Sequence, residues 1–339
     1  MLENGDKASL VIFSDKAVVI AESCEINEAT KKDLIKKITS LHTQGSTNLH
    51  DGWIKGSIEV AKHMSEKTLN RVILLTDGQV NVGVTDIQKI IGDCSGLYKR
   101  SISTTTFGVG KHFDEDLLQS MSTKGGGNYY YIEEGSDITK MFEQEFLGLN
   151  NLVASDVKAY FTLHSGFEIT NNVNNFEQDE KNYIIPNITT VNKNALLFKM
   201  KIKIPNNRKN VSIGTLNLSY KDDNGKKQTQ TIELKIPVVS KAEYEKMAEN
   251  QEVKIQETLF VIANDKLQAT LAMDRGDYAL SKSILRNSLN TVTAMASSIN
   301  DLRLHAESSV LNDNLQNSKS DMELRKDLSY QSYNTRYSK

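Results

Sequence analysis

Two short polar segments in the first third of the chain contain the side chains best suited to bind a ligand. Thr47 lies in residues 45–49, just before a helix-like stretch, and Asp77 follows the apolar run at residues 71–76. Hydroxyl and carboxylate oxygens are hard ligands, which suit Mg²⁺ in an octahedral shell that keeps several waters. In a doubly wound sheet, ligands bind at the carboxyl ends of the strands. Thr47 and Asp77 are therefore candidate metal ligands.

Both residues also have a purely structural interpretation. Asp77 precedes Gly78, and Asp-Gly is a common turn sequence. Thr47 precedes a helix-like stretch and can act as its N-cap, because a hydroxyl oxygen accepts a hydrogen bond from the first turn. The sequence alone leaves both interpretations open.

Other chemical constellations are missing from the sequence. Residues 108–112 contain Gly-x-Gly-Lys, but they lack the spacing and the Ser or Thr of a phosphate-binding P-loop. The 6 histidines show no zinc spacing, and Cys24 and Cys94 are too far apart for a Cys-x-x-Cys site. Tyr129–Tyr131 is typical of a half-buried strand. We therefore expect a protein that is not an enzyme.

The first 150 residues alternate strand patterns with helix patterns. Strands are predicted at residues 8–13, 17–21, 71–76, 101–107 and 128–132. Helices are predicted at residues 27–41, 51–64, 114–121 and 136–146, and a further helix begins at Thr85 or Asp86. This alternation indicates an α/β fold with a doubly wound, mostly parallel sheet in a domain at residues 1–150.

The pattern changes after residue 150. Residues 151–240 show alternating apolar positions broken by Asn-rich turns, which predicts an antiparallel β-sandwich. Residues 241–307 are helical in pattern, with a break at Gly276-Asp277, and predict a helical hairpin. Residues 308–339 are polar and lack an apolar period, so we expect a disordered tail.

Composition narrows the classes of partner. The formal net charge is −2, with acidic and basic residues mixed, so no basic stripe for nucleic acid is predicted. No apolar run approaches the roughly 20 residues that span a bilayer. The first residues lack the basic and apolar segments of a signal peptide, and the chain as written is expected to be cytoplasmic.

Several motifs in fixed order resemble a known family. They lie at residues 8–14, 45–52, 72–82, 107–110, 114–117 and 126–132. They are similar to the von Willebrand factor type A domains of bacterial and protist proteins related to calcium-activated chloride channels, and the similarity covers about residues 5–150.

The resemblance implies a metal ion-dependent adhesion site built from three loops. Thr47 matches the threonine of the second loop and Asp77 the aspartate of the third. The first loop, Asp-x-Ser-x-Ser after an opening strand, is absent from the sequence, and Ser14-Asp15 corresponds to a different segment of the family. The family's strand order, 3-2-1-4-5-6, places that opening strand between residues 10–13 and 72–75. We therefore expect an N-terminally incomplete domain, or a strand supplied by a partner.

The functional expectation follows from this resemblance. It implies a non-catalytic protein-interaction or adhesion scaffold with a degenerate or incomplete site, in which Mg²⁺ is held weakly or not at all by this chain alone. An acidic side chain of a protein partner would complete the coordination.

A second short similarity suggests an alternative function. Residues 274–279 are similar to the region after the type A domain in proteins that add RING or Hint modules. This would make the chain an accessory substrate-capture subunit of an enzyme system such as ubiquitin transfer.

Overall fold

The computed structural model describes residues 2–42, 45–65, 68–174, 176–191, 194–202, 210–316 and 319–337. The chain divides into two compact units, Met1–Leu152 and Val153–Lys339. Each unit is described by itself below.

The first unit alternates strands and helices as the sequence predicts. Its elements are β1 (Lys7–Phe13), β2 (Ala17–Glu25), α1 (Glu28–Thr39), α2 (Leu49–Ala61), β3 (Arg71–Thr76), α3 (Ile87–Lys99), β4 (Ser103–Val109), α4 (Glu115–Lys124), β5 (Gly126–Ile132) and α5 (Ile138–Asn150). The α/β class predicted for this part of the chain is confirmed.

The strands of the first unit form two separate ladders. β3, β4 and β5 pair in parallel in that order, whereas β1 and β2 form an antiparallel hairpin. Across the described ranges no ladder joins β1 to β3, so each of these strands has one hydrogen-bonded neighbour. The expectation that an opening strand is missing between these two strands stays a prediction.

Helix α2 packs on both ladders. Its glycines allow a close approach: a methyl group added at Gly52 would lie 2.5 Å from the Phe13 ring of β1, and one added at Gly56 would lie 3.5 Å from Val72 of β3. The indole of Trp53 donates a hydrogen bond of 3.0 Å to the hydroxyl of Thr104 in β4. Helix α2 thus bridges the two strand groups.

The strand β4 is polar in sequence yet buried. Its three threonines are fully buried, and their hydroxyl groups all have partners, at Trp53, Glu145 and the Leu118 carbonyl. Buried polar groups are tolerated when they are hydrogen-bonded, which explains how a Thr-rich segment forms the centre of a parallel sheet.

The second unit begins with antiparallel strands. They are β6 (Leu152–Leu163), β7 (Phe167–Asn172), β8 (Gln178–Asp179), β9 (Asn182–Ile185), β10 (Ile188–Thr189), β11 (Phe198–Ile202), β12 (Asn210–Asp222) and β13 (Lys227–Pro237). One sheet has the order β13-β12-β6-β9-β8 with β10 on β6, and β7 pairs with β11. Phe161, Tyr183 and Phe198 join the sheets through edge-to-face contacts with ring centroids 4.8–6.2 Å apart. The predicted antiparallel β region is confirmed.

The helices of the second unit extend beyond the predicted hairpin. They are α6 (Lys241–Tyr244), α7 (Gln251–Asp274), α8 (Tyr278–Ile299), α9 (Leu302–Gln316) and α10 (Asp321–Arg336). The turn between α7 and α8 contains Gly276 with φ of +75°, a left-handed conformation that favours glycine. Among the helices of the described ranges, none is long and apolar enough to cross a bilayer.

The expectation of a disordered tail at residues 308–339 is wrong. Most of α9 and all of α10 lie in this segment, and Leu311, Leu328 and Tyr333 are buried in the helical core. Buried small polar residues complete the packing, as when the hydroxyl of Ser332 donates a 2.6 Å hydrogen bond to the Ala263 carbonyl. The segment folds because a few apolar side chains and hydrogen-bonded hydroxyl groups pack against α7. Its mostly polar composition gives no sign of these contacts.

Candidate functional site

The structure brings the loops of Thr47 and Asp77 together. A methyl group added at Gly78 would lie 2.7 Å from the Oγ1 atom of Thr47, so the residue after Asp77 contacts the threonine side chain. Thr47 is half-buried and Asp77 is exposed. The two candidate ligands therefore lie on adjacent loops at one edge of the domain.

Asp77 is placed by the end of β3. The strand finishes at Thr76, whose hydroxyl accepts a hydrogen bond of 3.3 Å from the backbone N–H of Gly78. The pairing of β3 with β4 fixes the strand, and the turn at Thr76 fixes the direction in which the chain leaves it. Asp77 thus stands at the carboxyl end of a parallel strand, as the sequence predicts.

The helix cap of α2 is Asn48 and not Thr47. The Asn48 side-chain oxygen accepts a 3.3 Å hydrogen bond from the backbone of Asp51. The Asn48 backbone N–H donates to the Ser14 carbonyl at 2.7 Å, and its side-chain amide donates to the Asp15 carbonyl at 3.1 Å. Capping is therefore not the role of Thr47, and its hydroxyl remains available for a ligand.

Neither candidate ligand is engaged within its own unit. Among the described residues, neither the Thr47 hydroxyl nor the Asp77 carboxylate has a hydrogen-bond or ion-pair partner. The turn Ser14-Asp15 meets the same edge, but it contributes backbone carbonyls that hold Asn48. Three segments of the chain thus converge at this edge.

Asn81 is a residue of this edge that the sequence analysis missed. Its side-chain oxygen accepts a 2.8 Å hydrogen bond from the backbone N–H of Thr47. Its own N–H donates to the Thr47 carbonyl at 3.3 Å. The sequence signal was weak, because an exposed loop asparagine 34 residues from its partner carries no periodic pattern.

Helix α2 is fixed to the β1-β2 hairpin by charged side chains one turn apart. The carboxylate of Asp51 accepts a 2.9 Å hydrogen bond from the Ala17 backbone, and the ammonium of Lys55 donates to the Ala17 carbonyl at 2.7 Å. Glu59 accepts from the Ser23 backbone at 3.0 Å. The hydrogen bond from Ala17, together with Lys55, holds the pKa of Asp51 below its ordinary value. The start of α2, next to Thr47, is therefore anchored.

A buried ion pair supports β3 from the other face. Glu145 of α5 is fully buried and pairs with Arg71 at the start of β3 at 2.5 Å. The same carboxylate accepts hydrogen bonds from Thr105 at 2.7 Å, Asn128 at 2.6 Å and Tyr130 at 3.0 Å. Burial raises the pKa of Glu145, but Arg71, Asn128 and Thr105 outweigh burial and keep the pKa below its ordinary value. The network fixes α5 against β3, β4 and β5.

The donor set fits a hard divalent cation only in part. A hydroxyl and a carboxylate are suitable oxygen ligands, and the contact between Thr47 and Gly78 brings their loops together. In the part of the chain that the structure describes, no group of three or more His, Cys, Asp or Glu residues is arranged to hold a metal. Thr47 and Asp77 therefore remain two candidate ligands for such a cation.

Comparison with known proteins identifies the first unit. Residues 2–144 match the model of the von Willebrand factor type A domain. The uncharacterized protein YfbK of Escherichia coli is 30% identical over 159 residues, which cover 47% of this chain and 27% of YfbK. The human inter-alpha-trypsin inhibitor heavy chain H3 is 23% identical over 179 residues, or 50% of this chain and 20% of the relative.

A solved structure has a similar fold over almost the whole chain. The von Willebrand factor type A protein from Catenulispora acidiphila superposes with a TM-score of 0.70 at 14% identity, covering 98% of this chain and 81% of that one. The chain spans about a quarter of the length of the curated relatives named above. With the split α/β sheet and its two converging loops, these matches show that residues 2–144 form a von Willebrand factor type A domain.

Proposed function

We propose that this chain is a non-catalytic protein-interaction module, whose Thr47 and Asp77 edge holds a hard divalent cation such as Mg²⁺ when a partner's acidic side chain is bound. The observation that carries the proposal is the pair of side-chain oxygens on adjacent loops, which have no hydrogen-bond or ion-pair partner among the described residues. The type A domain of residues 2–144 supports an interaction role.

The surroundings of the two ligands favour binding. Thr47 lies directly before the anchored start of α2, and Asp77 lies directly after the buried strand β3. The Thr47 backbone is hydrogen-bonded to Asn81, and the Gly78 N–H closes the turn around Asp77 onto the Thr76 hydroxyl, so little ordering of the loops opposes ligand binding.

The small number of protein ligands determines how the cation would be held. Mg²⁺ prefers about six oxygen ligands and usually keeps several waters when only one or two carboxylates bind it. With Thr47 and Asp77 as protein ligands, the other positions belong to water and to a carboxylate of the partner. Cation and acidic partner then stabilise each other, and the chain alone binds the cation weakly.

The test measures cation binding directly. Mn²⁺ replaces Mg²⁺ as a probe, and its paramagnetic resonance signal distinguishes free from bound ion. We expect wild type to bind Mn²⁺ more tightly when a short Glu-containing peptide is added. Asp77→Ala should abolish Mn²⁺ binding and its enhancement by the peptide. The circular dichroism spectrum should stay unchanged, because Asp77 is exposed.

Asp15→Ala is the matched control. Asp15 is an exposed aspartate at the same edge, but it supports Asn48 through its backbone carbonyl, which the substitution keeps. Equal Mn²⁺ affinity in wild type and Asp77→Ala would refute the proposed site. Equal losses in Asp77→Ala and Asp15→Ala would show only a general effect of negative charge.

A further inference from the structure

The backbone of Thr47 is paired with a residue of the Asp77 loop. Thr47 donates its N–H to the Asn81 side chain at 2.8 Å and accepts the Asn81 N–H at its carbonyl, at 3.3 Å. Asn81 lies four residues after Asp77 in the same loop. One residue therefore contacts both the donor and the acceptor of the Thr47 backbone.

The neighbouring residues hold the same two loops at close range. Gly83 has φ of +77°, and a methyl group added there would lie 2.3 Å from the side-chain oxygen of Asn48. Asn48 is held from the other side by the Ser14 carbonyl, at 2.7 Å. The segment with Thr47 is thus fixed between the Ser14 turn and the loop of residues 77–83.

We propose that Asn81 is the positioning residue of this edge: it holds Thr47 beside Asp77 before any cation or partner binds. The cation part of this inference rests on the function proposed above, whereas the positioning is a property of the free chain. Asn81 is exposed, so replacing it by alanine leaves no cavity in the core and removes only the hydrogen bond from the Thr47 N–H; the backbone hydrogen bond to the Thr47 carbonyl remains.

The distinguishing readout is amide exchange at Thr47, followed by NMR without metal. Asn81→Ala removes the acceptor of the Thr47 N–H, and loss of one such hydrogen bond should speed exchange at Thr47 about fivefold to tenfold. Asn81→Asp keeps an acceptor oxygen and should restore wild-type exchange. Gln79→Ala is the matched control, since Gln79 is an exposed amide in the same loop. The melting temperature should fall by a few degrees at most in Asn81→Ala and stay unchanged in the other two variants.

Mn²⁺ affinity, measured as above, separates the two proposals. We expect Asn81→Ala to weaken Mn²⁺ binding and Asn81→Asp to retain it. Unchanged Thr47 exchange in Asn81→Ala would overturn the positioning role. Faster exchange in Asn81→Ala with the same Mn²⁺ affinity as a wild type that binds Mn²⁺ would overturn the cation part of the inference. If exchange rises as expected but wild type binds no Mn²⁺, the positioning of Thr47 stands and the proposed cation function fails.

Discussion

Replacing Arg71 by methionine should strongly destabilise the type A domain. The substitution keeps an unbranched side chain but removes the guanidinium that pairs with the fully buried Glu145. Breaking a buried ion pair leaves one charge uncompensated and typically costs about 3–5 kcal/mol. Thr105, Asn128 and Tyr130 still donate to the carboxylate, so we expect a loss near the lower end of this range, about 3 kcal/mol.

The loss should depend on pH in a defined direction. In the wild type the folded-state pKa of Glu145 lies below the ordinary value of 4.5. The ion pair therefore stabilises the fold above that value, and this contribution disappears as the pH falls through the lowered folded-state pKa. Without Arg71, burial dominates and raises the pKa of Glu145. The variant then binds a proton on folding, and its deficit should shrink between about pH 8 and pH 5.

Trp53 provides the assay, because it is the single tryptophan of the chain and is buried in the first unit. Urea unfolding followed by its fluorescence reports the free energy of unfolding of this unit. Arg100→Met, at an exposed arginine, is the matched control and should change stability by no more than about 0.5 kcal/mol. A deficit below about 1 kcal/mol for Arg71→Met, or a deficit independent of pH, would refute a stabilising role for the pair.

Three further predictions concern other parts of the chain. Leu328→Ala should lower the free energy of unfolding of the second unit by about 2–5 kcal/mol, because it opens a cavity in the helical core. Met322→Ala, at a half-exposed position of the same helix, should lower it far less, and calorimetric melting compares the two variants. Deleting residues 319–339 should lower the melting temperature of the second unit, because it removes the buried Leu328 and Tyr333; an unchanged melting temperature would mean that α10 contributes nothing to stability. Gly83→Ala should destabilise the first unit by about 1 kcal/mol or more, because φ is +77° and the new methyl group meets Asn48. Urea unfolding followed by Trp53 fluorescence measures this loss, and wild-type stability would contradict the close contact between Gly83 and Asn48.

The sequence predicted best where one physical signal dominates. The apolar run that became β3 and the Asp-Gly pair after it were visible because a buried parallel strand has to be apolar and end at a turn. Thr47 lies between α1 and α2 and does not follow a strand, so its place beside the Asp77 loop was expected from the resemblance to the type A domain and not from the strand pattern.

Other features depend on contacts that sequence patterns do not reveal. The helix α10 has a polar composition, and its burial depends on Leu328, Tyr333 and small hydroxyl residues meeting α7. The hydrogen bonds of Asn48 to the Ser14-Asp15 turn and of Asn81 to Thr47 join segments distant in sequence. These contacts become visible only once the chain is folded.

The separation of β1 from β3 has a mechanical consequence for the candidate site. Ser14 belongs to the end of the β1-β2 hairpin, Asp77 to the end of the β3 ladder, and Thr47 to the start of the helix that crosses both. In the described ranges no strand pairing joins the two groups, so the packing of α2 and the hydrogen bonds of Asn48 and Asn81 hold them together at this edge. A substitution that loosens α2 would therefore disturb the candidate site even from outside its loops.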